Sequence, residues 1–436
     1  MKTLPLSYQQ LSERSAQQSY AFPLQSNRIA QITGPPFHYD PKEIERHAAN
    51  VRLLIHPETR QLAQDFLALA RQKGSSVERS LYRQIELDAF IRKLIVKRPL
   101  MFMTESDAYL LRDGRTLGNG GFEIIGTEQE KAPLVLAEYN SYREMQLAAL
   151  LGVSVPTYFI NEGDRFNKGY VAPKGSFEEQ GIYSALVGAR FERSNLMEWQ
   201  HMIITEEQNT AANGYGPEAE GGDWALPIWA EFYDSRCAER LSFPDYATAS
   251  QDQSGQYVEF PADYSFEKPY YFNRSVYKTR LRRVVEPFLR DANERAKEAN
   301  TTAYVVAVGL GIGVWAIESI KDLQASLQVE AYLDTLAAND FSHISDLRFS
   351  WFPESTHPYA AQFPAGISVS FDQQSPMVKL LGADQGKLLV ANYAWDGNSY
   401  PGNEYWQGSL AASGDPAAMC CSTLGELQNP DINPFV

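Results

Sequence analysis

Residues 303–317 read AYVVAVGLGIGVWAI, and the change of texture inside that stretch decides the fold. The β-type run from Ala303 to Val308 delivers Gly309, Gly311 and Gly313, and a helix start follows Trp315. An apolar run of this length bounded by glycine predicts a buried strand. Working outward, IKDLQASLQVEAYLDTLAA (320–338) and YREMQLAALL (142–151) read as helices. LRFSWFP (347–353), GISVSFD (366–372), KLLVANYA (387–394), APLVLAEYN (132–140), TYFINEG (157–163) and MEWQHMIIT (197–205) read as strands. Helices falling between strands predict an α/β class: a mixed or largely parallel sheet covered by helices, with ligands at the carboxyl ends of the strands.

The rest of the chain divides by composition. Residues 1–40, rich in Gln, Ser and Pro without periodicity, predict a loosely ordered lead-in. Residues 41–100 predict a helical subdomain: HPETRQLAQDFLALARQKG (56–74) starts near Pro57 and stops at Gly74, and SVERSLYRQIELDAFIRKLIVKRP (76–99) repeats the pattern. Residues 101–436 form the main domain, with a polar, glycine-rich surface insertion near 205–255.

Composition excludes several classes of function. A formal net charge of -15, from 39 Lys and Arg against 54 Asp and Glu, argues against a phosphate-backbone footprint, so nucleic acid is not an expected partner. The basic run YKTRLRRVVEPFLR (277–290) has helical apolar spacing, which predicts that its charges form the wet face of a packed helix. Three cysteines, two of them the neighbours Cys420 and Cys421, do not suggest a disulfide framework and point to a reducing compartment. Six scattered histidines without CxxC or HExxH spacing predict no metal and no cofactor. No stretch has the length of a signal-peptide core or a membrane span.

Three stretches carry candidate chemistry. Gly309, Gly311 and Gly313 let backbone amides approach a diphosphate closely, although a plain turn has the same look and the spacing is neither GxGxxG nor a P-loop. In LLVANYAWDGNSYPGNEYW (388–406), Asn392, Asp396, Asn398, Asn403 and Glu404 stand among aromatic residues. Amides and carboxylates bind ribose hydroxyls while rings stack on a base, but Asn and Asp also satisfy their own turns. FINEGDRFNKGYVAPKGSFEEQGIYSALVGARFE (159–192) places Asn167 after a strand and the pair Glu178 and Glu179 after glycines. That pair reads either as an acid with a ribose ligand or as carboxylates at a helix start.

Together these stretches resemble the macrodomain superfamily, in particular its poly(ADP-ribose) glycohydrolase-like branch. NKGYVAPKGSFEEQ is similar to that branch's catalytic glycine loop, with Glu178 and Glu179 at the acidic pair, although the triple glycine is absent and Phe177 replaces a glutamine. GLGIGVW is similar to its diphosphate loop, with Trp315 near the distal ribose. Within the superfamily, FEEQGIY, GARFE, MEWQHMI, VGLGIGVW and GNEYW resemble the MavL family of Legionella effectors over most of residues 100–436. The resemblance implies a macrodomain-like fold and a secreted effector acting in the host cytoplasm. It implies removal of ADP-ribose from arginine-ADP-ribosylated ubiquitin, with a host ubiquitin-conjugating enzyme as a further partner. It also implies catalytic aspartates, for which Asp322, Asp334 and Asp396 are the candidates. The competing expectations are a non-catalytic ADP-ribose-binding adaptor, an ADP-ribosyltransferase consuming NAD, and a carbohydrate-active enzyme using Asp396 and Glu404.

Overall fold

In the computed structural model, which describes residues 6–262 and 266–436, the strand that ends in the glycines lies near the centre of a seven-stranded sheet. Its strands are β1 (Arg52–Leu54), β2 (Gly152–Tyr158), β3 (Gln180–Val187), β4 (Ala303–Val308), β5 (Ile344–Ser350), β6 (Ser368–Asp372) and β7 (Leu388–Trp395). Their order across the sheet is β1-β2-β3-β7-β4-β5-β6. The five strands β3, β7, β4, β5 and β6 run parallel, while β2 is antiparallel to both β3 and β1. The expected α/β class is therefore present as a mixed sheet. Every residue of β3 after Gln180 is buried. A parallel strand covered on both faces selects such a continuous apolar run over an alternating one.

Helices α1 (Pro57–Lys73), α2 (Ser76–Tyr82), α3 (Leu87–Val96), α4 (Tyr142–Ala148), α5 (Arg274–Glu298), α6 (Lys321–Ala338) and α7 (Gly414–Cys421) surround it. The long α5 leads into β4, α6 links β4 to β5, and the two helices pack on each other, while α7 lies against β7. Among the described residues no helix is long and apolar enough to cross a membrane. Cys237, Cys420 and Cys421 are free and buried.

Several expectations meet a different outcome. Residues 1–5 of the expected lead-in lie outside the described residues. The remainder is packed chain: Leu11, Ile29, Ile32 and Phe37 are buried, and the Ile29 amide donates to Glu426 Oε2 at 2.6 Å. Its anchors lie about 400 positions away in sequence, so no local pattern announces them. The run 76–99 makes two helices, α2 and α3, and APLVLAEYN forms turns that bury Leu134 and Leu136. MEWQHMIIT yields a short helix, Trp199–Met202, and only Ile203–Ile204 as strand, in a separate sheet with Tyr257–Phe260 and Tyr270–Asn273. The insertion near 205–255 packs its own Trp229 and Phe243. The wet-face reading of α5 fails at Arg280, which is fully buried and whose Nη2 donates to Ala149 O at 2.9 Å, Gly188 O at 3.0 Å and Glu198 at 2.9 Å.

Candidate active site

Because β3, β7 and β4 are parallel neighbours, the turns that follow them emerge together at the carboxyl edge of the sheet. The turn after β4 is held at both ends by buried side chains. Gln328 on α6 accepts from the Leu310 amide at 2.9 Å and donates to Val308 O at 3.0 Å, while Asn392 on β7 accepts from the Val308 amide at 3.1 Å. At the far end Gln324 accepts from the Ile317 amide at 2.8 Å. Between these ties the amides of Gly311, Ile312, Gly313, Val314 and Trp315 make no hydrogen bond among the described residues. Gly311 has a φ of 67° and abuts Gly188, where a Cβ would run into the Gly311 backbone, so both positions require glycine. Consecutive free amides in a tight turn form a concave donor surface suited to an anion such as a diphosphate.

The turn after β7 forms the adjoining wall. Asn403 Nδ2 donates to Asp396 Oδ2 at 2.7 Å, and the amides of Gly402 and Asp396 donate to Asp415 at 2.7 and 3.2 Å. Asn403 also accepts from the Phe102 amide at 2.8 Å, which joins a small sheet (Met101–Met103, Ala108–Leu110, Leu117–Asn119) to this wall. Asp396, Glu404 and Asp415 form no salt bridge among the described residues. Burial pushes Asp396 and Asp415 well above the carboxylate range, against the opposing charge of Arg190 at Asp396, and Glu404 adds to the rise at both. Burial also raises Glu404, with the charge of Glu192 adding to it, while its own backbone amide and Ser413, at 3.4 Å, act to lower it. Arg190 itself is bound by Glu192 at 2.9 Å and Asp107 at 3.2 Å.

The sequence candidates separate cleanly by edge. Gly309, Gly311, Gly313, Trp315, Asn392, Asp396, Asn398, Asn403 and Glu404 gather at the carboxyl edge, and Asp322 stands exposed on the first turn of α6 just beyond the glycine turn. Glu178 and Glu179 precede the first residue of β3 and so lie at the amino edge, a whole strand length away. Glu178 there pairs with Lys379 at 3.1 Å and accepts from the Leu380 amide, and Glu179 faces Lys174 at 3.8 Å. Asn167 is a strut of the same region, donating to Asp164 O at 2.7 Å and Ala417 O at 3.0 Å and accepting from the Gly169 amide at 2.9 Å. Asp334 sits far along α6 from the glycine turn and pairs with Lys278 at 3.2 Å.

Sequence reasoning missed three features of this edge. Trp351 follows β5, whose Ser350 pairs with Val308, so it leaves the sheet beside Gly309. It is 61% exposed at a φ of 63°, a left-handed backbone that a bulky residue adopts only where its surroundings hold it. Its position inside LRFSWFP was the only available signal. Arg190 and the paired glutamines Gln324 and Gln328 looked like ordinary residues at a strand end and on a helix.

The fold and these turns define an α/β protein whose parallel strands end in a glycine turn with unbonded amides, beside carboxylates that form no salt bridge among the described residues. Residues 9–436 match the family described as ADP-ribosylhydrolase MavL-like. The chain is 35% identical over 406 residues to the ADP-ribosylarginine hydrolase CG2909 of Drosophila melanogaster, an alignment that covers 89% of this chain and 78% of the fly protein. It is 34% identical over 413 residues to the ADP-ribosylarginine hydrolase CG3568 of the same fly, covering 89% and 77%. The chain belongs to the MavL-like ADP-ribosylhydrolase family and is a hydrolase of ADP-ribosyl bonds.

Proposed function

We propose that the carboxyl edge holds ADP-ribose with its diphosphate on the amides of residues 311–315, and that the enzyme cleaves the N-glycosidic bond joining ribose C1″ to an arginine of a modified protein. The row of five free amides between fixed ends is the observation that carries this reading. The nest lies between two unlike neighbours, which orients the ligand. Trp351 offers a ring for the adenine on the β5 side, and Asp396 and Glu404 face the distal ribose on the β7 side. We assign the sheet to a macrodomain-like variant on the same ground, a glycine turn after a central parallel strand.

Hydrolysis at C1″ passes through an oxocarbenium-like state, which a positioned carboxylate and a fixed diphosphate both favour. Glu404 is half-buried and free of a counterion, so in its ionised form it accepts a proton from the attacking water. The C1″–N electron pair leaves with the guanidine, and the water's proton passes to that nitrogen, restoring the arginine cation. Asp396, tied to Asn403, holds the turn and meets a ribose hydroxyl. Asp322 is the second carboxylate on the rim. Arginine as the cleaved linkage is supported by the two fly relatives, both named as ADP-ribosylarginine hydrolases. Ubiquitin in a host cell as the carrier, with a ubiquitin-conjugating enzyme as docking partner, follows from the resemblance to the effector family alone.

The test is incubation with arginine-ADP-ribosylated ubiquitin, following intact mass and free ADP-ribose, beside Glu404→Gln and Asp322→Asn. The reading expects loss of the modification by wild type, and loss of turnover in Glu404→Gln with ADP-ribose affinity kept. An unchanged ubiquitin mass with ADP-ribose still bound would instead favour a reader of the modification.

A further inference from the structure

Helix α6 sends two glutamine side chains out of the core into the glycine turn. Gln324 and Gln328 are four residues apart and share a helix face, and both are wholly buried. Buried amides of this kind cost stability unless both ends are bonded. Gln328 spends its oxygen on the Leu310 amide and its nitrogen on Val308 O, so one side chain fixes the last strand residue and the second turn residue together. Gln324 spends its oxygen on the Ile317 amide, and its nitrogen reaches the Tyr277 hydroxyl on α5 at 3.4 Å. The turn is thus tied on either side of the five free amides, and between those ties a single backbone bond, from the Ala316 amide to Gly313 O at 3.1 Å, braces it without using any of the five.

A second clamp comes from α5. Arg280 grips Gly188 O, and Gly188 in turn abuts Gly311, so the nest is backed by a turn that is itself held from the core. Unbonded backbone amides gain by turning toward nearby carbonyls, so such a turn keeps them free only where its ends are fixed.

We infer that Gln328, assisted by Gln324, is a positioning residue for the ADP-ribosyl hydrolase reaction: it keeps the amide nest in its ligand-ready shape and touches no reacting atom. The inference rests on the ADP-ribose reading above. It predicts an effect on ligand binding rather than on the chemical step, because Glu404, the carboxylate assigned to the attacking water, belongs to a different turn, after β7.

Gln328→Met preserves length and removes both hydrogen bonds, whereas Gln328→Glu keeps the acceptor for the Leu310 amide. Thr335→Val serves as the control, a buried position on α6 whose hydroxyl bonds only within its own helix, to Ala331 O. Affinity for ADP-ribose is measured by calorimetry, with KM, kcat and melting temperature determined on the same samples. The expected result is a Kd and KM raised about tenfold or more in Gln328→Met, about threefold in Gln328→Glu, and unchanged in Thr335→Val, with kcat within about threefold throughout. A folded Gln328→Met protein with wild-type Kd and KM would overturn the inference. Should that variant fail to fold, Gln324→Met, which releases the Ile317 amide of the turn and the Tyr277 hydroxyl on α5, is read by the same two outcomes. Wild-type protein that ignores ADP-ribose removes the functional reading and this inference with it. Wild-type binding with an unaffected variant removes the inference alone.

Discussion

The two edges of the central sheet carry turns of similar composition, rich in Gly, Asn and carboxylates, yet they spend those residues in opposite ways. At the amino edge, Asn161 and Asn167 bond to backbone within the 161–170 turn, Glu178 is neutralised by Lys379, and Glu179 faces Lys174. At the carboxyl edge, the turn ends are tied by side chains from α6 and β7, and among the described residues a row of amides is unused and Asp396, Glu404 and Asp415 stand without salt bridges. Polar residues that satisfy themselves build structure. Polar groups held apart from partners by the surrounding fold are what a ligand can use.

Substitutions of carboxylates break this contrast most sharply. Glu404→Gln is expected to lower kcat by about 10²- to 10⁴-fold with ADP-ribose affinity nearly unchanged, the range for a single acid or base. Glu178→Gln and Glu179→Gln should each leave kcat within about twofold. Single-turnover rates on an ADP-ribosylated protein measure all three, and a large loss in either amino-edge variant would reverse the roles of the two edges.

The nest itself is probed next. Gly311→Ala forces a Cβ onto a left-handed backbone and to 2.9 Å from Ala189 O. The backbone penalty of about 1–2 kcal/mol is relieved when the free turn relaxes out of its binding shape and is met again on binding, so Kd for ADP-ribose should rise about tenfold or more. Trp351→Ala should weaken ADP-ribose by about tenfold, in line with the worth of one base-stacking ring, and leave ribose 5-phosphate binding unaltered. Equal losses for both ligands would mean that Trp351 supports the turn instead of stacking on a base. Asn167→Ala gives the mirror result: a loss of about 1–3 kcal/mol in unfolding free energy from the orphaned backbone groups, with no change in Kd.

The smallest effect is on pH. Burial and the Glu192 charge raise Glu404 above the ordinary carboxylate value, and the mechanism needs Glu404 ionised. Activity is therefore lost as pH falls through that raised value. Glu192→Gln removes a like charge, stabilises the Glu404 anion and should move the acid limb of the kcat profile to lower pH by a fraction of a unit. A shift to higher pH would contradict the assignment of the acid limb to Glu404.

The core of the fold was legible because its signal is local. Ala303–Val308, Leu388–Trp395 and Lys321–Ala338 each carry their period and their stop signals within one short stretch. The carboxyl-edge site was legible in part for the same reason, since glycines after a strand and an Asn-rich turn after another are contiguous motifs. What escaped was long-range. The edge to which the 178–179 pair belongs was not legible, because a glycine loop followed by carboxylates looks alike before or after a strand and only the sheet topology tells the edges apart. Arg280 read as part of a wet helix face, Gln328 carried no signal of the turn it holds, and Ile29 gave no hint of Glu426.

The contrast between the edges is tested most directly by amide hydrogen exchange with and without ADP-ribose. The account predicts slower exchange on ligand addition across residues 309–317, 188–190 and 396–404, with residues 161–179 unaffected. Protection confined to residues 161–179, or none at 309–317 under saturating ADP-ribose, would contradict it.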